Sequence, residues 1–147
     1  MSGEVSAARH PALLSVRVEF GDCDPARIVY FPNYFRWADA ASRHYFEERG
    51  LPRWEETERT HGIIGTPCVH AEGRFIAPAS YGDLLVVQSQ ITEWRNKSFV
   101  FRHWMRRDGE DIAQIDEVRV FARRLPGAAR GIQAVEVPPE WRPLLAG

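Results

Sequence analysis

The chain has 147 residues, 44% of them hydrophobic, and a net charge of −1. That length supports one domain with a real but modest core, and the near-neutral balance excludes a general attraction to nucleic acid. Two cysteines are too few for a disulfide framework and fit a reducing, cytoplasmic setting, and no apolar run approaches the length of a membrane span.

Residues 1–12 carry no apolar core of a signal type and are expected to form a loose N-terminal tail. Residues 13–147 then make a single domain without repeats or linkers. Leu14, Val16, Val18 and Phe20 alternate with polar residues, the two-residue period of a half-buried strand. Gly21, Asp22, Asp24 and Pro25 break it. Pro32 and Asn33 signal a helix start, with asparagine able to cap. Tyr34, Trp37, Ala38, Ala41 and Tyr45 follow helical spacing, Phe35 and Phe46 widen the face, and Gly50 stops the helix. The spacing predicts a helix over 33–49, and so aromatic a helix must be largely buried.

Residues 52–60 suggest a short polar helix or loop, and a strand is expected over 66–75. After a turn-rich connection come strand patterns over 84–94, 98–107 and 112–123. Asn96-Lys97 and Asp108-Gly109 supply tight hairpin turns. Phe99, Phe101, His103 and Met105 share one face of the second of these strands. In the third, Ile115, Val118, Val120 and Phe121 imply a change of phase, the mark of a bulge. Residues 134–138 add a short edge segment, and Trp141 pins the tail. The order is strand, long helix, then four strands as a meander. This predicts an α+β fold, an antiparallel sheet curled around one apolar helix.

The stretch from Phe20 to Tyr34 carries the chemistry. A carboxylate between a strand end and a helix N-terminus lies beside unpaired backbone N–H groups, the arrangement acyl transfer needs. Asp24 is the candidate, although Asp-Pro is also a common turn dipeptide. Asp22 reads as a turn or capping residue. Cys23, flanked by carboxylates and without a nearby histidine, reads as structural. The five histidines form no ligand spacing with each other or with cysteine, so no metal is expected. No glycine-flanked serine of a nucleophile elbow occurs. Trp37, Tyr45, Phe99 and Phe101 are assigned to the core.

The pattern Phe20-Gly21-Asp22-Cys23-Asp24-Pro25-Ala26, followed by Ile28-Val29-Tyr30-Phe31-Pro32-Asn33-Tyr34, resembles the hot-dog-fold acyl-CoA thioesterases, in particular the 4-hydroxybenzoyl-CoA thioesterase family. The resemblance continues through Arg36 to Arg43, Gly50-Leu51-Pro52, Gly62 to Pro67, Glu93 to Phe99 and Ala134 to Pro138. It implies a five-stranded antiparallel sheet wrapped around the long helix. It also implies homodimers or homotetramers with sites at the subunit interface, and no cofactor beyond the coenzyme A of the substrate. By position, Asp24 is the implied catalytic carboxylate and the Phe31 backbone N–H the oxyanion donor. Tyr30, Asp39, Trp54 and Thr66 are the implied substrate contacts, and Arg95, Lys97 and Arg130 the coenzyme A contacts. Asp39 has two readings: the polar end of an aromatic acyl pocket, or a partner for an arginine or the next subunit. Arg27 departs from the family, which commonly has glycine there, and carries strain if its φ is positive. The pair Tyr30-Phe31 also departs from the branch's pattern.

The implied activity is hydrolysis of a small, aromatic acyl-CoA thioester. The alternatives are a thioesterase for short aliphatic acyl groups on coenzyme A or a carrier protein, and a non-catalytic acyl-CoA binder. Neither a nucleic acid nor a membrane is expected as a partner.

Overall fold

The computed structural model describes residues 11–146, so residues 1–10, most of the expected tail, lie outside the described residues. The chain runs β1 (Ala12–Arg17), a 3₁₀ turn (Phe20–Asp22), α1 (Pro32–Glu48), α2 (Trp54–His61), β2 (Ile63–Gly65), β3 (Cys68–Phe75), β4 (Leu84–Trp94), β5 (Ser98–Arg107), β6 (Glu110–Arg124), β7 (Ile132–Val135) and α3 (Trp141–Leu145). Every strand pairing is antiparallel, in the order β1-β4-β5-β6. β3 and β5 pair with the same stretch of β6 and so lie on its opposite edges. β2 and β7 pair with its last residues. The five expected strands are β1, β3, β4, β5 and β6; β2 and β7 are short additions around β6.

The expected meander is corrected here. The turns at 96–97 and 108–109 do join β4, β5 and β6, with Asp108 at φ 50° and Gly109 at φ 81° as a two-residue hairpin requires. The strand over 66–75, however, crosses over to pair with β6 rather than with β4. The first strand also ends sooner than its alternation suggests. Phe20 sits in the 3₁₀ turn and is 79% exposed, whereas Val18 is fully buried. Asn33 does not cap α1: Phe31 holds the N-cap position, and the Asn33 amide donates to the Asp22 carbonyl at 2.8 Å.

α1 packs against β1, β4, β5 and β6 and buries Tyr34, Trp37, Ala38, Ala41, Tyr45 and Phe46. Each large apolar side chain so buried contributes roughly 1.5–3 kcal/mol. The core falls into two apolar clusters. One gathers Trp37, Ala41, Val87, Met105 and Ile115; the other Tyr45, Ile91, Phe101, Phe121, Trp141 and Leu145. Trp141 pins the C-terminal segment as expected, and the Tyr45 hydroxyl donates to the Leu145 carbonyl at 2.6 Å.

Between the two clusters runs a polar layer. Ser42 follows Ala41 on α1, Ser89 lies between Val87 and Ile91 on β4, His103 between Phe101 and Met105 on β5, and Glu117 between Ile115 and Phe121 on β6. This layer explains the apparent phase change in β6. The buried positions are Ile115, Glu117, Arg119 and Phe121, in unbroken alternation, while Val118 and Val120 face the other side, half-buried. The irregularity lies instead near Ile112 and Ala113, both buried, where the register against β5 shifts.

Candidate active site

Asp24 sits in a loop that doubles back on itself. Tyr30 N–H donates to Asp22 O at 2.8 Å, Asp24 N–H to Ile28 O at 2.9 Å, and Cys23 bridges Val29. The Asp24 carboxylate is oriented by its own turn: Oδ1 accepts from the Ala26 N–H at 2.9 Å. This Asx turn uses one oxygen; Oδ2 has no partner among the described residues. Arg27 closes the turn with its N–H on Asp24 O at 2.8 Å and φ at 67°. The φ at Arg27 is positive, so the condition for strain at this position is met. The Arg27 side chain does not pair with Asp24; both line a cavity of about 530 Å³ with Phe20, Pro25 and Tyr81.

The other arm of the loop leads into α1. Among the described residues the Phe31 N–H meets no acceptor, and it stands at the positive end of the helix dipole. Phe31 lines a different, apolar cavity of about 600 Å³ with Ile28, Tyr34, Phe75 and Ile76. Its ring meets Phe75 edge-on at 6.0 Å and Tyr30 at 5.8 Å. Tyr30 is itself exposed. Asp22 is the structural residue expected, accepting from the Glu19 N–H at 2.8 Å and from Arg36 at 2.9 Å. Cys23 is half-buried with its thiol directed at the Glu19 carbonyl.

Asp39, Trp54 and Thr66 do come together. They line a cavity of about 410 Å³ between α1, α2 and the β2–β3 junction, with Ser42, Arg43, Phe46, Gly65, Cys68 and Arg119. Asp39 pairs with an arginine, one of its two readings: it accepts from Arg119 Nη2 at 2.8 Å, and its side chain is 61% exposed. Cys68 also lines this cavity; burial first and the nearby Glu117 charge next push its thiol pKa up.

The sequence reading missed the residues behind this cavity. Arg119 grips Glu117 through Nε at 3.0 Å and Nη2 at 2.7 Å, and donates from Nη1 to the Thr66 carbonyl at 2.7 Å. Glu117 also accepts from Ser42 Oγ at 2.6 Å and His103 Nε2 at 2.8 Å, and His103 Nδ1 meets Ser89 Oγ at 2.7 Å. Burial alone would raise the Glu117 pKa; hydrogen bonds from His103 and Arg119 outweigh it and hold the carboxyl at about 2. Burial would lower the Arg119 pKa, yet Glu117 and Asp39 keep it above the ordinary guanidinium value. The available signal was period two: Glu117 and Arg119 fall on the face of Ile115 and Phe121, and His103 on that of Phe101 and Met105. Charges on a core face must find each other.

Arg95 and Lys97 are exposed at the β4–β5 turn, and Arg95 pairs with Glu93 at 2.7 Å. Arg130 is exposed in the β6–β7 loop. None of the three lines a cavity with Asp24. β1, which leads into the Asp24 loop, ends beside the start of β4, with Arg17 opposite Leu84 and Val18 N–H on Asp83 O. β4 has 11 residues, so its far turn lies roughly 35 Å away along the strand. Among the described residues no group of three or more His, Cys, Asp or Glu side chains is placed to hold a metal ion. Among the described residues no helix is long and apolar enough to cross a membrane.

An antiparallel sheet packed on one long central helix is the fold shared by the hot-dog thioesterases. A thioesterase-like superfamily model matches residues 18–145, and the chain belongs to that family. It is 48% identical over 130 residues to the 4-hydroxybenzoyl-CoA thioesterase of Pseudomonas sp. (strain CBS-3), covering 85% of this chain and 90% of the relative. A crystal structure of a mutant 4-hydroxybenzoyl CoA thioesterase complexed with 4-hydroxybenzoyl CoA superposes with a TM-score of 0.87 at 43% identity, over 94% of this chain and 100% of that one. A gentisyl-coenzyme A thioesterase superposes with a TM-score of 0.76 at 33% identity, over 89% and 99%.

Proposed function

We propose that the protein hydrolyses an aromatic acyl-CoA thioester, of the benzoyl or hydroxybenzoyl type, to the free acid and coenzyme A. The observation that carries this is the doubled-back loop. It presents a free Asp24 carboxylate oxygen on one arm and the unbonded Phe31 N–H at the start of α1 on the other. The N–H and the helix dipole polarise the thioester carbonyl and stabilise the oxyanion. Asp24 either attacks the carbonyl carbon, giving a mixed anhydride that water then opens, or takes a proton from an attacking water. In both cases the C–S bond breaks and coenzyme A leaves as the thiolate, which is then protonated. Nothing in this sequence needs a metal or redox cofactor, because a thioester is already an activated acyl group. The substrates named for the relatives supply the aromatic acyl class.

The site is read as shared between copies of the chain. Asp39 lies eight residues along α1 from Phe31, about 12 Å at the helical rise, and its cavity is not the one Asp24 lines. Arg95 and Lys97 lie at the far end of β4 from Asp24. A benzoyl ring held at Asp39, Trp54 and Thr66 and a nucleotide held at Arg95 and Lys97 thus belong to other protomers than the Asp24 that does the chemistry. β3 offers the place to pair: it bonds β6 along one edge, and all eight of its residues are exposed. Val69, Phe75 and Ile76 flank that open edge as exposed apolar groups. Such an edge favours a second copy. The two free cysteines fit a cytoplasmic protein.

The test is thiol release from benzoyl-, hydroxybenzoyl-, phenylacetyl- and short aliphatic CoA esters. The expected result is turnover with kcat/KM highest for the benzoyl type. Faster aliphatic turnover would move the assignment to that class, and tight binding without thiol release would make the protein a binder.

A further inference from the structure

We propose that Arg119 is the positioning residue of the acyl cavity, and that acyl preference is set from the protein core through Ser89, His103, Glu117 and Arg119. This rests on the reading that the cavity of Asp39, Trp54 and Thr66 takes the acyl group.

The guanidinium faces two ways. Toward the core, Nε and Nη2 engage both oxygens of Glu117. Toward the cavity, Nη2 holds Asp39 Oδ1 and Nη1 holds the Thr66 carbonyl. These two cavity contacts come from different elements, α1 and the junction before β3, so one planar group fixes the spacing of two cavity walls. The bidentate grip matters because it fixes the plane of the fork, which a point charge on a flexible stem would not.

Glu117 is fixed in turn. An ionised carboxylate only accepts, so His103 Nε2 carries the proton it shares with Glu117, and Ser42 donates to the same oxygen. His103 cannot rotate without losing Ser89 at its other nitrogen. His103 is fully buried, and Glu117 and Arg119 are nearly so, on a sheet face otherwise built of Ile, Phe and Met. A buried ion pair is rarely a better source of stability than apolar packing of similar volume. Its placement beneath the cavity, with the two outward contacts on cavity-lining residues, gives it a role that packing alone would not fill. Asp39, half out in solvent on a helix face, would otherwise sample several rotamers.

The experiment compares kcat/KM for benzoyl-CoA, 4-hydroxybenzoyl-CoA and butyryl-CoA in the wild type and four variants, each checked for folding by circular dichroism. Arg119→Lys keeps the charge and loses the fork. His103→Gln keeps an N–H for Glu117, whereas His103→Leu does not, and Glu117→Gln removes the anchor. We expect Arg119→Lys and Glu117→Gln to change the ratio between the two aromatic esters by about tenfold or more, the scale of a charge-assisted hydrogen bond, with butyryl-CoA turnover altered only a few-fold. His103→Leu follows them, and His103→Gln restores the wild-type ratio. Should the Arg119 and Glu117 variants fail to fold, the contrast between His103→Gln and His103→Leu decides. Equal loss on all three substrates, or no difference between the two His103 variants, overturns the proposal. If the wild type releases no thiol from either aromatic ester, the functional reading itself falls, and the proposal with it.

Discussion

Replacing Glu117 by glutamine tests the polar layer as a source of stability, and the structure sets the size of the effect. The folded carboxyl titrates at about 2 against an ordinary value of 4.5. At about 1.4 kcal/mol per pH unit, that depression stabilises the folded state by about 3 kcal/mol. Because the folded pKa is depressed, the contribution is fully present above about 4.5 and is lost as pH falls toward 2. Glutamine keeps the shape and imitates the protonated acid, but leaves Arg119 with only Asp39 as a charged partner. Breaking one side of a buried pair costs about 3–5 kcal/mol, which agrees with the titration figure. For a chain of this length the loss lowers Tm by about 10 °C at pH 7. The assay is urea unfolding of wild type and Glu117→Gln at pH 7, 5, 4 and 3. Other carboxylates are common to both proteins and cancel in the difference. The gap should stay near its full value at pH 5 and shrink to less than half at pH 3. A gap that is small at pH 7, or that does not change with pH, refutes the reasoning.

Three further outcomes follow from the geometry. Arg95→Ala or Lys97→Ala raises KM more than it lowers kcat, since a phosphate contact persists into the transition state; the loss vanishes with a pantetheine thioester lacking the nucleotide, and equal losses on both substrates would contradict the assignment. Arg27→Gly relieves a φ of 67° and gains up to about 1 kcal/mol, less the added chain entropy, with kcat within a few-fold of wild type; a drop in Tm would show that the arginine side chain stabilises the loop. Light scattering at micromolar concentration shows a dimer or tetramer, and a fully active monomer would contradict the shared site.

The long helix was legible because Tyr34, Trp37, Ala41 and Tyr45 repeat at helical spacing and Gly50, at φ 81°, ends it. The β4–β5–β6 hairpins were legible because their turn residues are local signals. The pairing of β3 with β6 was not, because it joins residues such as Glu72 and Asp116 across more than forty positions and no neighbouring residue announces it. Val118 and Val120 drew attention away from Glu117 and Arg119, because apolar content marks a core face only when that face holds no paired charges. The resemblance put forward Asp24, Phe31, Asp39, Trp54 and Thr66 as site candidates. It did not disclose that Asp39 rests on Arg119, a link that exists only when α1 and β6 are brought together.

The central claim is that Asp24 performs the chemistry, and Asp24→Asn tests it most directly. Asparagine preserves the Asx turn, whose Oδ1 accepts from the Ala26 N–H, so the fold and the affinity for the CoA ester should survive. Steady-state thiol release from the preferred aromatic ester is the measurement. The account predicts a fall in kcat of roughly 10²–10⁴-fold, the scale for losing a positioned base or nucleophile. A folded Asp24→Asn protein within a few-fold of wild-type kcat would contradict it.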